Sequence, residues 1–298
     1  MRQPIVTQVG QITDSHNNIL LKMWDVEVPK GKRPLVKHQH LNFEIMLVNS
    51  GTGIYETESS SYPMSSGDMF IFSSNEWHCI TNVGEQGLHI TNLQFDPQFI
   101  QNLQSGFADI SSVLTTNICL QHNKAFQNRI KSADTRMLKS LFLSIREEVE
   151  AHLEEYIYSS KSLLLLFFIN LIRHYNYVDF SKSISPEQLA TIQNALSYID
   201  IHFVEKITLQ EVSILAGLTP NYFCALFKQV SGTTLSDYIS AKRIDKAIHL
   251  LTNETAINII DIATACGYNS TANFNKAFKR ITGTTPREYR ANTHTMIS

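Results

Sequence analysis

The C-terminal third of the chain carries one pattern twice. Phe223 to Tyr238 reads FCALFKQVSGTTLSDY and Phe274 to Tyr289 reads FNKAFKRITGTTPREY, identical at seven of sixteen positions. Upstream, Leu209 to Leu218 lines up with Ile259 to Tyr268, with one residue fewer in the first copy. Two copies are too few for a solenoid, which needs about three repeats to bury a continuous core. A duplicated supersecondary unit is therefore expected.

Each copy spells helix, tight turn, helix. In the first, Thr208 and Glu211 form a capping box, Val212 and Leu215 are expected to face inward, and Gly217 allows the turn. Thr219 caps a second helix that has Pro220 at its first position. Phe223, Leu226, Phe227 and Val230 then form a buried stripe, and Gly232 suits the helix end. The second copy repeats this with Asn258, Asp261, Gly267, Ser270, Phe274, Ala277, Phe278, Ile281 and Gly283. A short helix, a turn and a capped second helix are the marks of a helix-turn-helix, although a helical bundle with a duplicated hairpin explains the apolar stripes equally well.

The opposite stripes discriminate. The second copy presents Thr271, Ala272, Asn273, Asn275, Lys276, Lys279 and Arg280, amides and cations suited to base edges and phosphates. The first presents Asn221, Tyr222, Cys224, Ala225 and Lys228, a face poorer in hydrogen-bonding groups. Between them, Leu235 to Leu251 reads as one amphipathic helix with Ile239, Ile244, Ala247, Leu250 and Leu251 as its apolar members. Such a rod is a spacer of about 25 Å. With the flanking units it would set the two outward helices one duplex turn apart, ~34 Å.

Charge alone does not announce a DNA-binding protein, because the formal net charge is −2. Residues 221–290 nevertheless hold nine Lys and Arg against five Asp and Glu. Nucleoid-type packaging fits such a chain badly, since nonspecific affinity depends on many phosphate contacts. The four cysteines (Cys79, Cys119, Cys224, Cys266) form no C-x-x-C pair, which removes support for zinc-finger or disulfide frameworks and suits a reducing cytoplasm. The first ten residues predict no export signal, and Leu163 to Ile169 is far short of the ~20 apolar residues of a membrane span.

Residues 187–290 resemble the DNA-binding domain of the AraC-type regulators. The likeness covers Leu209-x-x-Val-x-x-Leu-Ala-Gly-Leu, Tyr222-Phe223-x-x-x-Phe-Lys-x-x-x-Gly and Arg243-Ile244-x-x-Ala247-x-x-Leu-Leu. It continues through Ile262-Ala263-x-x-x-Gly267-Tyr268 and the run from Phe274 to Arg290. The resemblance implies seven helices, base contacts from the outward stripes, Arg243 among the DNA-binding residues, and RNA polymerase as a partner. Cys224 and Ala225 stand where family members usually carry polar residues. The second recognition helix is therefore expected to give most of the hydrogen bonds, with Ala225 meeting a thymine methyl.

Residues 1 to about 100 read as β, within a ligand-sensing domain expected over 1–132, giving an α+β chain. Expected strands are Leu20 to Val28, Phe43 to Val48, Gly53 to Glu58, Met69 to Phe72 and Leu88 to Phe95, separated by turn-rich pieces such as Asn49-Ser-Gly-Thr-Gly. His38-x-His40-x-x-x-Glu44 followed by Gly51, then Gly67, Trp77-His78 and Asn82, resembles the two cupin motifs, with Ser73 and Asn75 where proline and glycine are usual. His38, His40 and Glu44 share strand parity and would face one side, where His78 can join them. Three imidazoles and a carboxylate suit a divalent metal; the same residues can line a polar pocket or satisfy local hydrogen bonds.

From His38 to Asn123 there is no Lys or Arg but eight Asp and Glu, so a bare phosphate would find little help there. Trp24, Trp77, Tyr55 and Tyr62 can stack on a neutral ring such as a sugar, or belong to the core. A carbohydrate effector is the leading expectation, with His38, His40, Glu44 and His78 beside Trp24 and Trp77 in the pocket.

Residues 133–178 read as two helices for dimerisation. Met137, Leu141, Ile145, Val149 and Leu153 recur every four residues, and Ser162 to Tyr177 is apolar nearly all round. A Ser-rich linker, 179–186, precedes a capping box at Ser185 and Gln188. These features predict a cytoplasmic, dimeric, ligand-responsive transcription regulator, the family leaning towards activators. The alternative is a metal-dependent cupin enzyme tethered to a DNA-binding tail, which the histidines permit but no further acid–base pair supports.

Overall fold

The computed structural model describes residues 4–13, 19–30, 38–40, 42–57, 60–72, 76–96, 98–101, 128–175, 185–253 and 257–297. Internal contacts divide the chain into two units, Met1–Leu35 with Asn42–Ile184 and Val36–Leu41 with Ser185–Ser298. Residues 179–184 of the expected linker lie outside the described residues.

The N-terminal unit is built on an antiparallel sheet: β1 (Ile5–Thr13), β2 (Ile19–Val28), β3 (Phe43–Thr57), β4 (Ser61–Ser65), β5 (Met69–Phe72), β6 (His78–Phe95) and β7 (Arg129–Ile130). The order is β1-β2-β6-β3-β5-β7, with β4 paired to β3. Alternation assigns each strand two faces. One face carries Leu21, Met23, Phe43, Ile45, Leu47, Leu93 and Phe95, which bury against two helices, α2 (Arg136–Ala151) and α3 (Tyr156–Tyr175). A short helix, α1 (Gln98–Gln101), follows β6. The other face carries Val26, Met46, Val48, Tyr55, Phe70, Phe72 and Ile90, a core drawn from strands alone, so the sheet curls round it. Each fully buried side chain of this size contributes roughly 1.5–3 kcal/mol.

Two expectations are corrected here. Asn49-Ser-Gly-Thr-Gly is no chain reversal: β3 runs straight through it, with register shifts at Val48/Ser50 and Gly51/Gly53. Gly51 has φ +88°, and a Cβ there would meet the Gly87 carbonyl oxygen at 2.1 Å. The glycines therefore mark a bulge rather than a turn. In α2, the buried edge is Leu138, Phe142, Ile145 and Val149, while Met137 is exposed, and Leu153, also exposed, lies past the helix end at the left-handed His152. A strict spacing of four drifts about 40° per step around a helix of 3.6 residues per turn, so Met137 falls away from the edge that Ile145 and Val149 define.

The C-terminal unit contains seven helices among the described residues: α4 (Pro186–His202), α5 (Leu209–Leu215), α6 (Pro220–Ser231), α7 (Leu235–Asn253), α8 (Ile259–Ala265), α9 (Thr271–Thr282) and α10 (Pro286–Ile297). α5–α6 and α8–α9 are the two repeats, and α7 joins them. The capping boxes at Ser185 and Thr208 form as the sequence dictates, and Asn258, Thr219 and Ser270 cap α8, α6 and α9. Val212 is buried as expected, but Leu215 does not face inward: it is exposed, and Ser213 is buried in its place. The second copy signals this, because its small residues Ala263 and Cys266 are buried.

Candidate DNA-binding and effector sites

The two recognition helices bury the expected stripe and expose the expected face. Phe223, Leu226, Phe227 and Val230 of α6, and Phe274, Phe278 and Ile281 of α9, are buried, with Ala277 half-buried. Asn221, Tyr222, Cys224, Ala225 and Lys228 are exposed on α6. On α9, Ala272, Asn273, Asn275, Lys276, Lys279 and Arg280 are exposed, and Thr271 is half-buried. The faces differ chemically: α9 offers two amides and three cations, α6 one amide and one cation beside Tyr222, Cys224 and Ala225. The α7 rod between them has 19 residues, about 28 Å at ~1.5 Å per residue.

Three of these side chains have duties inside the protein. The Tyr222 hydroxyl accepts from Gln188 Nε2 at 2.9 Å, tying α6 to the start of α4. Arg280 pairs with Asp237 at 2.8 Å while half of it stays exposed. Arg243, expected among the DNA-binding residues, also bonds within the protein. It donates from Nε to the Phe203 carbonyl at 2.6 Å and from a terminal nitrogen to the Glu205 carbonyl at 2.7 Å, with its guanidinium over the Tyr268 ring. Sequence spacing could place Arg243 on a helix but not show that two unsatisfied carbonyls lay within reach.

In the N-terminal unit, Glu44 and His78 are buried on one side of the sheet, 3.9 Å apart. Glu44 accepts a 2.6 Å hydrogen bond from Gln94 Nε2. His78 lies 2.7 Å from the Glu76 carbonyl through Nδ1. A carbonyl can only accept, so Nδ1 is the donor, and the neutral ring carries its lone pair on Nε2. The ring stacks on Phe72 at 4.7 Å. His38 and His40 are half-buried, with ring centroids 5.8 Å apart. The donor types of Glu44 and His78 suit a divalent cation, and a backbone carbonyl fixes the tautomer of His78, as hydrogen bonds behind the ligands do for metal-binding histidines.

Of the proposed stacking groups, Trp24 and Trp77 are half-buried and accessible, as is Tyr62. Tyr55 is core: it stacks on Phe70 and Phe72 at 5.2 and 4.8 Å, and burial, then the Glu44 charge, push its hydroxyl pKa well above the ordinary value. Sequence reasoning missed Asn92 and Gln94. Strand alternation was the available signal, since both share parity with the inward-facing Leu88 and Ile90 and are polar.

The comparisons agree with this architecture. A family model described as an AraC-like ligand binding domain matches residues 35–167, and one described as a helix-turn-helix domain matches 213–292. The HTH-type transcriptional activator RhaS of Enterobacter sp. (strain 638) is 24% identical over 258 residues, covering 85% of this chain and 87% of its own. The probable transcriptional regulator LumQ of Photobacterium leiognathi is 27% identical over 252 residues, covering 85% and 90%. The solved structure of ToxT from Vibrio cholerae superposes with a TM-score of 0.64 at 14% identity, over 91% of this chain and 98% of that one. The relatives named here are regulators of transcription, not enzymes. No helix among the described residues is long and apolar enough to cross a membrane. An α+β chain with a cupin-like ligand-binding sheet followed by paired helix-turn-helix units, it belongs to the AraC-type family of DNA-binding transcriptional regulators.

Proposed function

We propose that this protein is a cytoplasmic transcription activator that reads two successive major grooves on one face of DNA and answers to a neutral carbohydrate bound in its N-terminal sheet domain. The observation that carries the DNA half is the pair of capped helices, α6 and α9, whose outward faces are exposed while their inward faces are fully packed. Base contacts come from Asn221, Tyr222, Cys224, Ala225, Thr271, Ala272, Asn273 and Asn275, and phosphate contacts from Lys228, Lys276, Lys279 and Arg280. The name of the relative RhaS, a transcriptional activator, supports the sign of regulation and contact with RNA polymerase.

Residues 1–132 serve as sensor, 133–178 as dimerisation segment, 179–186 as linker and 187–290 as reader. The effector acts by binding one dimer arrangement more tightly than another, which shifts the half-sites that two subunits reach together. His38, His40, Glu44, His78, Trp24 and Trp77 line the sensor site. The donor types of the first four favour a second feature of the same reading: a divalent cation held by His38, His40, Glu44 and His78 that orients a bound hydroxyl group. When bound, such an ion would act as a Lewis acid toward ligand oxygens.

Selection by the full chain from random duplexes, with and without a panel of aldopentoses and aldohexoses, tests this. The expected result is a two-part motif with centres about 10 bp apart, whose occupancy changes with one sugar. Enrichment of no motif removes the DNA reading; a motif indifferent to every sugar removes the carbohydrate.

A further inference from the structure

The N-terminal unit buries a polar side chain that the fold leaves unfinished. Asn92 lies on β6, 4% exposed, and its Oδ1 makes no hydrogen bond among the described residues. An unsatisfied buried amide oxygen costs about 1–3 kcal/mol. The neighbouring Thr91, on the opposite face, shows the contrast. Its hydroxyl donates to Asp25 at 2.5 Å and accepts from Asn49 and Arg146 at 2.8 and 3.3 Å.

The register says what surrounds the vacant acceptor. Trp24 of β2 and Met46 of β3 sit directly opposite Asn92, and Phe70 of β5 is opposite Met46. One pair further along the same face come Lys22, Gln94, Glu44 and Phe72. One pair the other way come Val26, Ile90 and Val48. Side chains on adjacent pairs of one face are about 7 Å apart, so a small molecule centred on Asn92 lies between its two neighbouring pairs. The site thus grades from charged through Asn92 to apolar. Trp24 is half-buried and presents an indole plane, with Lys22 Nζ 5.1 Å from its ring centroid.

We propose that Asn92 anchors the effector, and that the effector is an uncharged ring compound bearing a hydroxyl group, seated against Trp24 and Met46. This rests on the reading of the N-terminal unit as a sensor, and it supplies the chemistry that reading lacks. A hydroxyl is selected over an ammonium, which only donates, and a ketone, which only accepts, because it does both and so satisfies the amide whichever way its O and N are turned. A net charge is disfavoured because the ligand would lie between the Glu44 carboxylate and the Lys22 ammonium on one side and Ile90 and Val26 on the other. A flat or C–H-faced ring matches Trp24, Met46 and Phe70. Sugars and phenols or alicyclic alcohols share this chemistry.

The test is calorimetry and thermal unfolding of the full chain with aldohexoses and aldopentoses in one arm, phenol and cyclohexanol in another, and hydroxyl-free anisole and tetrahydropyran as controls. At least one hydroxylated compound is expected to bind and its hydroxyl-free counterpart not; the arm that responds identifies the source. In Asn92→Leu, affinity should fall about tenfold or more while the ligand-free Tm is unchanged or higher, since an unsatisfied polar group has been removed. Binding of no hydroxylated ring, or equal binding to Asn92→Leu, overturns the proposal. So does a lower ligand-free Tm in that variant, which would assign Asn92 to a buried structural water. A compound that depends on Asn92 yet leaves DNA occupancy unchanged upholds the site and defeats the sensor reading instead.

Discussion

Arg243 donates from Nε to the main-chain carbonyl of Phe203, 40 residues earlier, at 2.6 Å. The bond joins the middle of α7 to the turn after α4. That turn also packs on the second repeat: a Cβ on Gly267 would meet the Val204 carbonyl oxygen at 2.1 Å, and the Gly267 backbone is held at φ +80°. Tyr268, the next residue, lies under the Arg243 guanidinium at 5.4 Å. One side chain therefore touches the entry to the first helix-turn-helix and the elbow of the second. It ties α7 to both, which in the proposed reading would hold α6 and α9 at a fixed spacing.

Replacing Arg243 by Ala strands the Phe203 and Glu205 carbonyls and should cost roughly 1.5–3 kcal/mol. The expected result is a thermal midpoint lower by several degrees, with weaker discrimination between correct and altered half-site spacing. The dependence of log K on log salt should keep its slope. A slope reduced by about 0.9 with stability unchanged would return Arg243 to the phosphate contacts.

The unequal faces of the recognition helices give unequal losses. Asn275→Ala should cost about 1–3 kcal/mol on the best site and relax preference at one position. Lys279→Ala should weaken all sequences alike and lower the salt slope by about 0.9. Changes on α6 should be smaller, and Ala225→Gly should matter most where thymine is preferred. Equal hydrogen-bond-type losses from both helices, measured by competition binding across single-base variants, would contradict this.

The DNA-binding half was almost wholly legible, because local chemistry determines it. Thr208, Thr219, Asn258 and Ser270 cap their helices wherever those helices pack, and apolar residues at helical spacing leave little choice of inward face. The exceptions arose where the residue count was ambiguous, as with Leu215 in a helix of seven residues. The sheet was less legible. β1 and β4 lack an apolar alternation strong enough to declare them, and the Gly51–Gly53 bulge imitates a turn. The strand parity expected of His38, His40 and Glu44 does not hold, because β3 begins at Phe43 and leaves both histidines off the strand. Asn92, Gln94 and Lys22 gained meaning only from the register of β2 against β6, which no single strand encodes.

Dimerisation should use the helices of the N-terminal unit. Leu166, Tyr158 and Met137 are 45%, 61% and 57% exposed on α3 and α2, although α3 is apolar on most sides. Leu166→Glu should shift a micromolar solution from dimer towards monomer and weaken binding to paired sites by tenfold or more, with little change in stability. Light scattering that shows a wild-type monomer, with and without DNA, would remove the premise.

Metal removal offers a separate check on the sensor. Purified protein is expected to carry about one equivalent of divalent metal, lost with chelator and in His78→Ala. Chelation should lower the thermal midpoint of the N-terminal unit and leave the affinity of the effector-free protein for DNA unchanged. Protein prepared without chelators that contains no metal, and takes up none on titration, would leave the histidines as pocket lining.

Cys266 and Cys224 should differ sharply towards thiol reagents. Cys266 is fully buried beneath Arg243 and Tyr268, and burial pushes its thiol up to about 11 from the usual 9.0. The folded state thus holds its proton where the unfolded state releases it, so stability is complete below pH 9 and falls as pH rises from about 9 to 11. The loss attributable to this one group is about 2–3 kcal/mol at the upper end, and it should vanish in Cys266→Ala. At pH 8, maleimide should modify the exposed Cys224 within minutes and reach Cys266 only as fast as the C-terminal unit unfolds. Modified Cys224, in the middle of the outward face of α6, should block DNA binding. Rapid labelling of Cys266 in the native protein would mean that the contact between α7 and the second elbow opens freely, and a reader of fixed spacing could not then depend on it.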